Sequence, residues 1–80
     1  MGKAFVLINC DLGKEEYILH SLRNIKSVKE AHGTFGAFDI ITEVINDDLD
    51  ELREDITWKI RSLPSIRATL TLTGTKNQGR

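Results

Sequence analysis

Asp39 ends the segment Gly36-Ala37-Phe38-Asp39 and leads directly into an apolar run, Ile40-Ile41-Thr42-Glu43-Val44. A carboxylate in such a run needs a partner, because a charge that leaves water must be compensated; it caps a turn or receives the cationic group of a ligand. Backbone N–H groups at Gly36 and Ala37 beside that carboxylate suit a zwitterion, which offers a carboxylate and an ammonium together. The plainer alternative is an ion pair between Asp39 and Arg67 or a lysine across the sheet.

Few other residues offer chemistry. One cysteine, Cys10, and two distant histidines, His20 and His32, do not have metal-ligand spacing, and a single cysteine excludes an internal disulfide. Cys10 reads as a small apolar filler at the end of a buried strand. His20 reads as a solvated histidine, and His32 as a hydrogen-bonded structural group or a residue bordering a cleft. The acidic cluster Asp47, Asp48, Asp50 and Glu51 favours the positive N-terminus of a helix and needs no metal. No nucleophile with an adjacent base, no paired carboxylates and no phosphate cradle stand out, so neither catalysis nor a cofactor is expected.

The elements that must position Asp39 follow from the patterning. Lys3 to Cys10 is apolar on both alternating faces, with Ala4, Val6 and Ile8 on one and Phe5 and Leu7 on the other, so it reads as a central strand. After a break at Asp11 to Gly13, Lys14 to Ile25 carries Ile18, Ser21, Leu22 and Ile25 at helical spacing. Val28 to Gly33 and Ala37 to Ile45 read as hairpin strands around Thr34, Phe35 and Gly36. Asp48, with Glu51 three residues on, resembles a capping box, and Leu49, Leu52, Ile56, Ile60 and Leu63 form the stripe of a second helix that Pro64 ends. Ile66, Ala68, Leu70 and Leu72 alternate with Arg67, Thr69, Thr71 and Thr73 in a last strand with one dry face. Thr75 to Arg80 are expected to fray.

This order is an α+β, ferredoxin-like βαββαβ sandwich with a four-stranded antiparallel sheet. Eighty residues make one domain, 1–80 with its core over about 3–75. A chain of this size buries only roughly 60 to 65% of its unfolded surface, so a lone copy is marginally stable. Helices cover one side of such a sheet. The other side is expected to carry Phe5, Leu7, Ile41 and Ile45 along the central strands, flanked by polar edges, which marks a face for a second copy and predicts a homodimer. Trp58 falls on the polar side of the second helix, where it either makes a contact between dimers or with another protein, or lies flat along its own helix.

Eleven basic residues against twelve acidic ones give a net charge of −1 with no basic cluster, which argues against a nucleic-acid footprint. No apolar run approaches the roughly 20 residues that span a bilayer, no signal peptide is evident, and the one cysteine fits a reducing cytoplasm.

Taken together, Val28 to Asp39 as VKEAHGTFGAFD, then IITEV to Val44, Asp48-x-x-Glu51-Leu52, Leu63-Pro64-Ser65-Ile66 and Thr69 to Leu72 resemble the effector-binding module of the Lrp/AsnC family, the RAM domain, from Phe5 to Thr75. Thr57-Trp58-Lys59-Ile60-Arg61 with Arg67 to Leu72 is similar to archaeal stand-alone copies. The resemblance implies dimeric α/β-barrel-like association and higher rings such as octamers, with amino acids or related small metabolites bound in clefts between subunits. It makes Gly36, Ala37, Phe38 and Asp39 the ligand loop, Asp39 the holder of the ligand ammonium, and Thr69 and Thr71 contacts from a neighbouring subunit. It also implies mixed assemblies with longer regulators that share the module. Phe35 stands where many members have a small hydroxyl residue, which bears on ligand choice. Family regulators carry a helix-turn-helix before this module, whereas here the first strand starts within a few residues of Met1, so operator DNA is not an expected partner.

Two readings from other classes compete. An RNA-recognition module shares the strand order, and Gly33 to Phe38 resembles its aromatic run, but it requires exposed rings and surrounding positive charge. A small enzyme on the same scaffold, such as an acylphosphatase-like hydrolase, requires catalytic groups that are not evident.

Overall fold

The alternation in the first strand is used as a sandwich requires. The computed structural model, which describes residues 2–34 and 36–73, places Ala4, Val6, Ile8 and Cys10 of β1 (Gly2–Cys10) beneath the helices and Phe5, Leu7 and Asn9 on the opposite face. The remaining elements are α1 (Glu15–Arg23), β2 (Val28–Gly33), β3 (Ile40–Asn46), α2 (Leu49–Glu54) and β4 (Ile66–Thr73). All strand pairs are antiparallel in the order β2-β3-β1-β4, as the βαββαβ order predicts. Ile18, Leu19 and Leu22 of α1 and Leu52, Ile56 and Ile60 of the second helical segment close the core over Val6, Ile8, Ile40 and Val44. Among the described residues no helix is long and apolar enough to cross a membrane.

Helix boundaries depart from the sequence reading for local reasons. α1 stops at Arg23 because the Asn24 N–H turns back to the Ser21 carbonyl at 3.2 Å, and Ile25 then packs against the core from the following turn. Asp48 caps α2 as expected, accepting from the N–H groups of Asp50 and Glu51 at 2.9 and 3.2 Å. The reciprocal half of the capping box is absent: the Asp48 N–H donates to Asn46 at 2.9 Å, and Glu51 is held by the same asparagine side chain. Leu49, expected on the apolar stripe, is exposed at the mouth of the helix. The helix then widens into a π-helical segment, Asp55–Ile60, closed by the Arg61 N–H on the Ile56 carbonyl at 3.0 Å. It ends at Ile60, three residues short of the Leu63 expected, since the Pro64 ring would collide with the carbonyl four residues back.

The connection between β2 and β3 is also longer than a tight hairpin. β3 begins at Ile40, not Ala37, because Asp39 turns its carbonyl to the Thr34 N–H at 2.8 Å and its own N–H to the Ile8 carbonyl at 2.9 Å. Gly36 lies at φ 109°, a conformation that only glycine adopts without strain.

Among the described residues one buried side-chain polar atom has no partner. The Thr42 hydroxyl is fully buried beneath the helices, between Val6 of β1 and Ala31 of β2 in register, and makes no hydrogen bond. Replacing it by the isosteric Thr42→Val removes a desolvated polar group without changing shape. We expect about 1 kcal/mol of added stability, read as a higher melting temperature by calorimetry; an unchanged or lower one would mean that the hydroxyl is satisfied in solution.

Candidate ligand loop and sheet face

Among the described residues Asp39 pairs with neither Arg67 nor a lysine. Its Oδ2 accepts the Cys10 N–H at 3.0 Å, so the carboxylate caps the C-terminal end of β1, while its Oδ1 takes no hydrogen bond from the described residues. Arg67 lies instead near Asp11, with Nε 4.0 Å from Oδ1, too long for a hydrogen bond. The loop is braced from within by the Thr34 hydroxyl, which donates to the Phe38 carbonyl at 2.6 Å. Gly36 and Ala37 are exposed, and Phe38 and Asp39 half-buried. Phe35, read as a determinant of ligand choice, lies outside the described residues, as do Thr75 to Arg80.

Burial pushes the Cys10 thiol up, and the carboxylates of Asp39, Glu15 and Asp11 push it further. Cys10 is therefore held as a protonated thiol within the core, in keeping with a filler and against a nucleophile.

Thr69 and Thr71 are not neighbours of this loop within one protomer. In register, Ile40 of β3 and Thr69 of β4 flank Ile8 on its two sides, and Thr71 flanks Val6, so β1 separates the threonines from Asp39. They lie on the helix-facing side of β4, where Thr69 is half-buried and Thr71 exposed.

The face without helices is where the structure adds most. Phe5, Leu7, Ile41 and Ile45 lie on it as expected, but the edge at β4 is apolar, not polar. Leu7 pairs with Leu70 and Phe5 with Leu72, and both leucines are about half exposed, at 46% and 50%. The dry face read for β4 is thus the open face, apart from Ile66. A bulge at Arg67 lets Ile66 pair with Cys10 and turn into the core while Ala68 pairs with Asn9 on the open side. The opposite border is charged. Glu43 pairs with Lys3 at 3.0 Å, and Glu30 with His32 at 2.9 Å.

With Phe5 on it and two carboxylates at its border, this face does not offer, among the described residues, the stacked rings and positive field that RNA recognition requires. Trp58 stands 70% exposed on the π-helical segment. His20 is exposed, with Asn24 Nδ2 at 3.1 Å from its carbonyl.

A polar cluster that the sequence reading missed sits at the other end of the sheet. Asp55, 5% exposed, accepts from the Ser27 hydroxyl and pairs with Lys59 at 3.2 Å, and Asn46 Nδ2 donates to Ser27 at 3.2 Å. The Ser27 hydrogen bond leads the causes that hold the Asp55 carboxyl below its ordinary range.

Comparison with known proteins accounts for the arrangement. The family model described as the Lrp/AsnC ligand binding domain matches residues 3–77. The chain is 41% identical over 51 residues to the proline dehydrogenase transcriptional activator of Rhizobium radiobacter, a match covering 64% of this chain and 33% of that protein. The crystal structure of FFRP-DM1 superimposes with a TM-score of 0.89 at 37% identity, covering 94% of this chain and 100% of the other. AsnC of E. coli superimposes with a TM-score of 0.85 at 26% identity, covering 96% of this chain and 52% of the other. The chain therefore spans about a third of the curated relative it matches and about half of AsnC.

Proposed function

We propose a function from one established premise: this chain belongs to the Lrp/AsnC family, and its fold is the ligand-binding domain of those transcriptional regulators. It acts as a non-enzymatic sensor in the cytoplasm that binds an amino acid or a related small metabolite in clefts between subunits. The observation that carries this reading is the Asp39 carboxylate: one oxygen is fixed by the end of β1 and the other is left to meet a ligand ammonium. Gly36, Ala37 and Phe38 bring backbone groups to the same place, and Thr69 and Thr71 reach it from a neighbouring subunit.

Two copies join through the open sheet face. Apolar residues on β1, β3 and β4 lose water together there, and the two-fold interface uses the same patch on both partners. Dimers join into larger rings with Trp58 at a contact between them. The same face lets the chain pair with longer regulators that share the module and alter their response to effector.

The structural role of Asp39 dictates the variant that tests this. Asp39→Ala removes both the charge and the cap on β1, whereas Asp39→Asn keeps an oxygen for the Cys10 N–H and removes only the charge. In a calorimetric screen of the amino acids, we expect Asp39→Asn to melt close to the parent protein and to bind the effector at least about tenfold more weakly, the loss of a charge-assisted hydrogen bond. Equal binding by both proteins would remove the carboxylate from the site.

A further inference from the structure

The two rims of the sheet are built differently. β2 and β4 are its edge strands, and an edge strand turns the N–H and C=O groups of alternate residues outward, a template for any strand that meets it. β2 is guarded against that in the usual ways: it is short, its register shifts at Lys29, and it carries Lys29, Glu30 and His32 exposed. β4 is guarded only at its start, by Arg67 and the bulge there. From Ala68 to Thr73 it runs in unbroken register against β1 with no charge, proline or glycine, and among the described residues no strand pairs with its outer side.

We propose that this stretch of β4 pairs, antiparallel and edge to edge, with the same stretch of a second copy, joining two four-stranded sheets into one. The pairing uses the rim of the sheet and not its face, so it stands apart from the face-to-face dimer, and one chain can make both contacts. The sequence of β4 fits itself. A two-fold axis through such a junction sets leucine beside leucine on the open face and threonine beside threonine on the helix side, pairs that favour strand association. Its charges fit as well. In the register that places Leu70 against Leu70, each Arg67 stands across from the Thr73 of the other copy, six residues from its own counterpart, so the two guanidinium groups lie roughly 20 Å apart. That separation exceeds the Debye length of about 10 Å at 0.1 M salt. The charged and bulged β2 of a second copy offers β4 neither the pattern nor the unbroken register.

Residue-resolved amide hydrogen exchange on the whole chain tests this. A strand paired on one side protects alternate amides, and a strand paired on both sides protects consecutive ones. We expect the parent protein at high concentration to protect every amide from Ala68 to Thr73. In Thr69→Lys, Thr71→Lys, which crowds ammonium groups at the junction on the side away from the open face, alternate amides there should exchange at least about tenfold faster. Dilution of the parent protein until it dissociates should free the same amides, so the comparison does not depend on the variant folding. Alternating protection in the concentrated parent protein overturns the strand pairing; a dimeric mass with that pattern leaves the face-to-face dimer standing, and a monomeric mass removes both. Consecutive protection that survives dilution also overturns it, because the cover then comes from the same chain.

Discussion

The double variant Leu70→Glu, Leu72→Glu is expected to convert the protein to monomers at micromolar concentration. Both leucines are about half exposed on a single chain, on an edge strand whose ladder they do not interrupt, so two glutamates there cost an isolated protomer little. If a second sheet covers them, four carboxylates enter one interface without partners, and an unpaired charge is among the most destabilising groups to bury. We expect the dissociation constant to rise at least about a hundredfold. Because folding and association are coupled in small obligate dimers, the melting temperature should fall and lose the dependence on protein concentration expected of the dimeric parent. Sedimentation equilibrium and concentration-dependent calorimetry read both effects. An unaltered mass and melting temperature would mean that this face is solvated in the native protein.

The second large effect is expected at the other end of the sheet. Asp55→Ala should destabilise the fold by about 3 kcal/mol, because it leaves a buried Ser27 hydroxyl without its acceptor and breaks the pair with Lys59. The cluster ties three separate pieces of chain together: the turn before β2, the end of β3 and the π-helical segment. Its dependence on pH has a definite sign. The folded state holds the Asp55 carboxyl below its ordinary value of 3.8, so the stabilisation is fully present above that value and is lost as the pH falls through the lower, folded-state value. Urea titrations in this acidic range should show the parent protein losing more stability than Asp55→Asn as the pH drops. Parallel curves would mean that Asp55 contributes nothing through its charge.

Much of this architecture is legible in the sequence, for identifiable reasons. β1 is apolar on both faces, so it must be central, and β2 is found with the bounds read from its pattern. Asp48 marks the start of α2 because a carboxylate before a helix has one favourable use, to accept its free N–H groups. Errors arise where tertiary contacts override local pattern. In β4, period-two alternation identifies the dry face but not the side of the sheet it meets; that side is set by the register with β1, and the bulge at Arg67 sends Ile66 the other way. Leu70 and Leu72 therefore complete the open face, at an edge the sequence reading expects to be polar.

The site was half legible. Asp39 stood out as a charge beside an apolar run, but its first partner, the Cys10 N–H, belongs to a strand 29 residues away and leaves no local mark. Asp55 was hidden for a different reason. It sits three residues after Leu52 on the buried side of its helix, where an acid reads as part of a solvated face unless its partners Ser27 and Asn46 are known to converge on it. The signal available was the position itself, an acid on the apolar stripe between Leu52 and Ile56.

The central claim is that paired copies of this chain hold a small zwitterion between them. Native mass spectrometry of the protein titrated with the amino acids reads assembly and occupancy in one measurement. The account predicts even-numbered assemblies that retain an amino acid, together with monomers released from them that do not. A monomer that carries the ligand by itself, or assemblies that retain none of the amino acids, would contradict it.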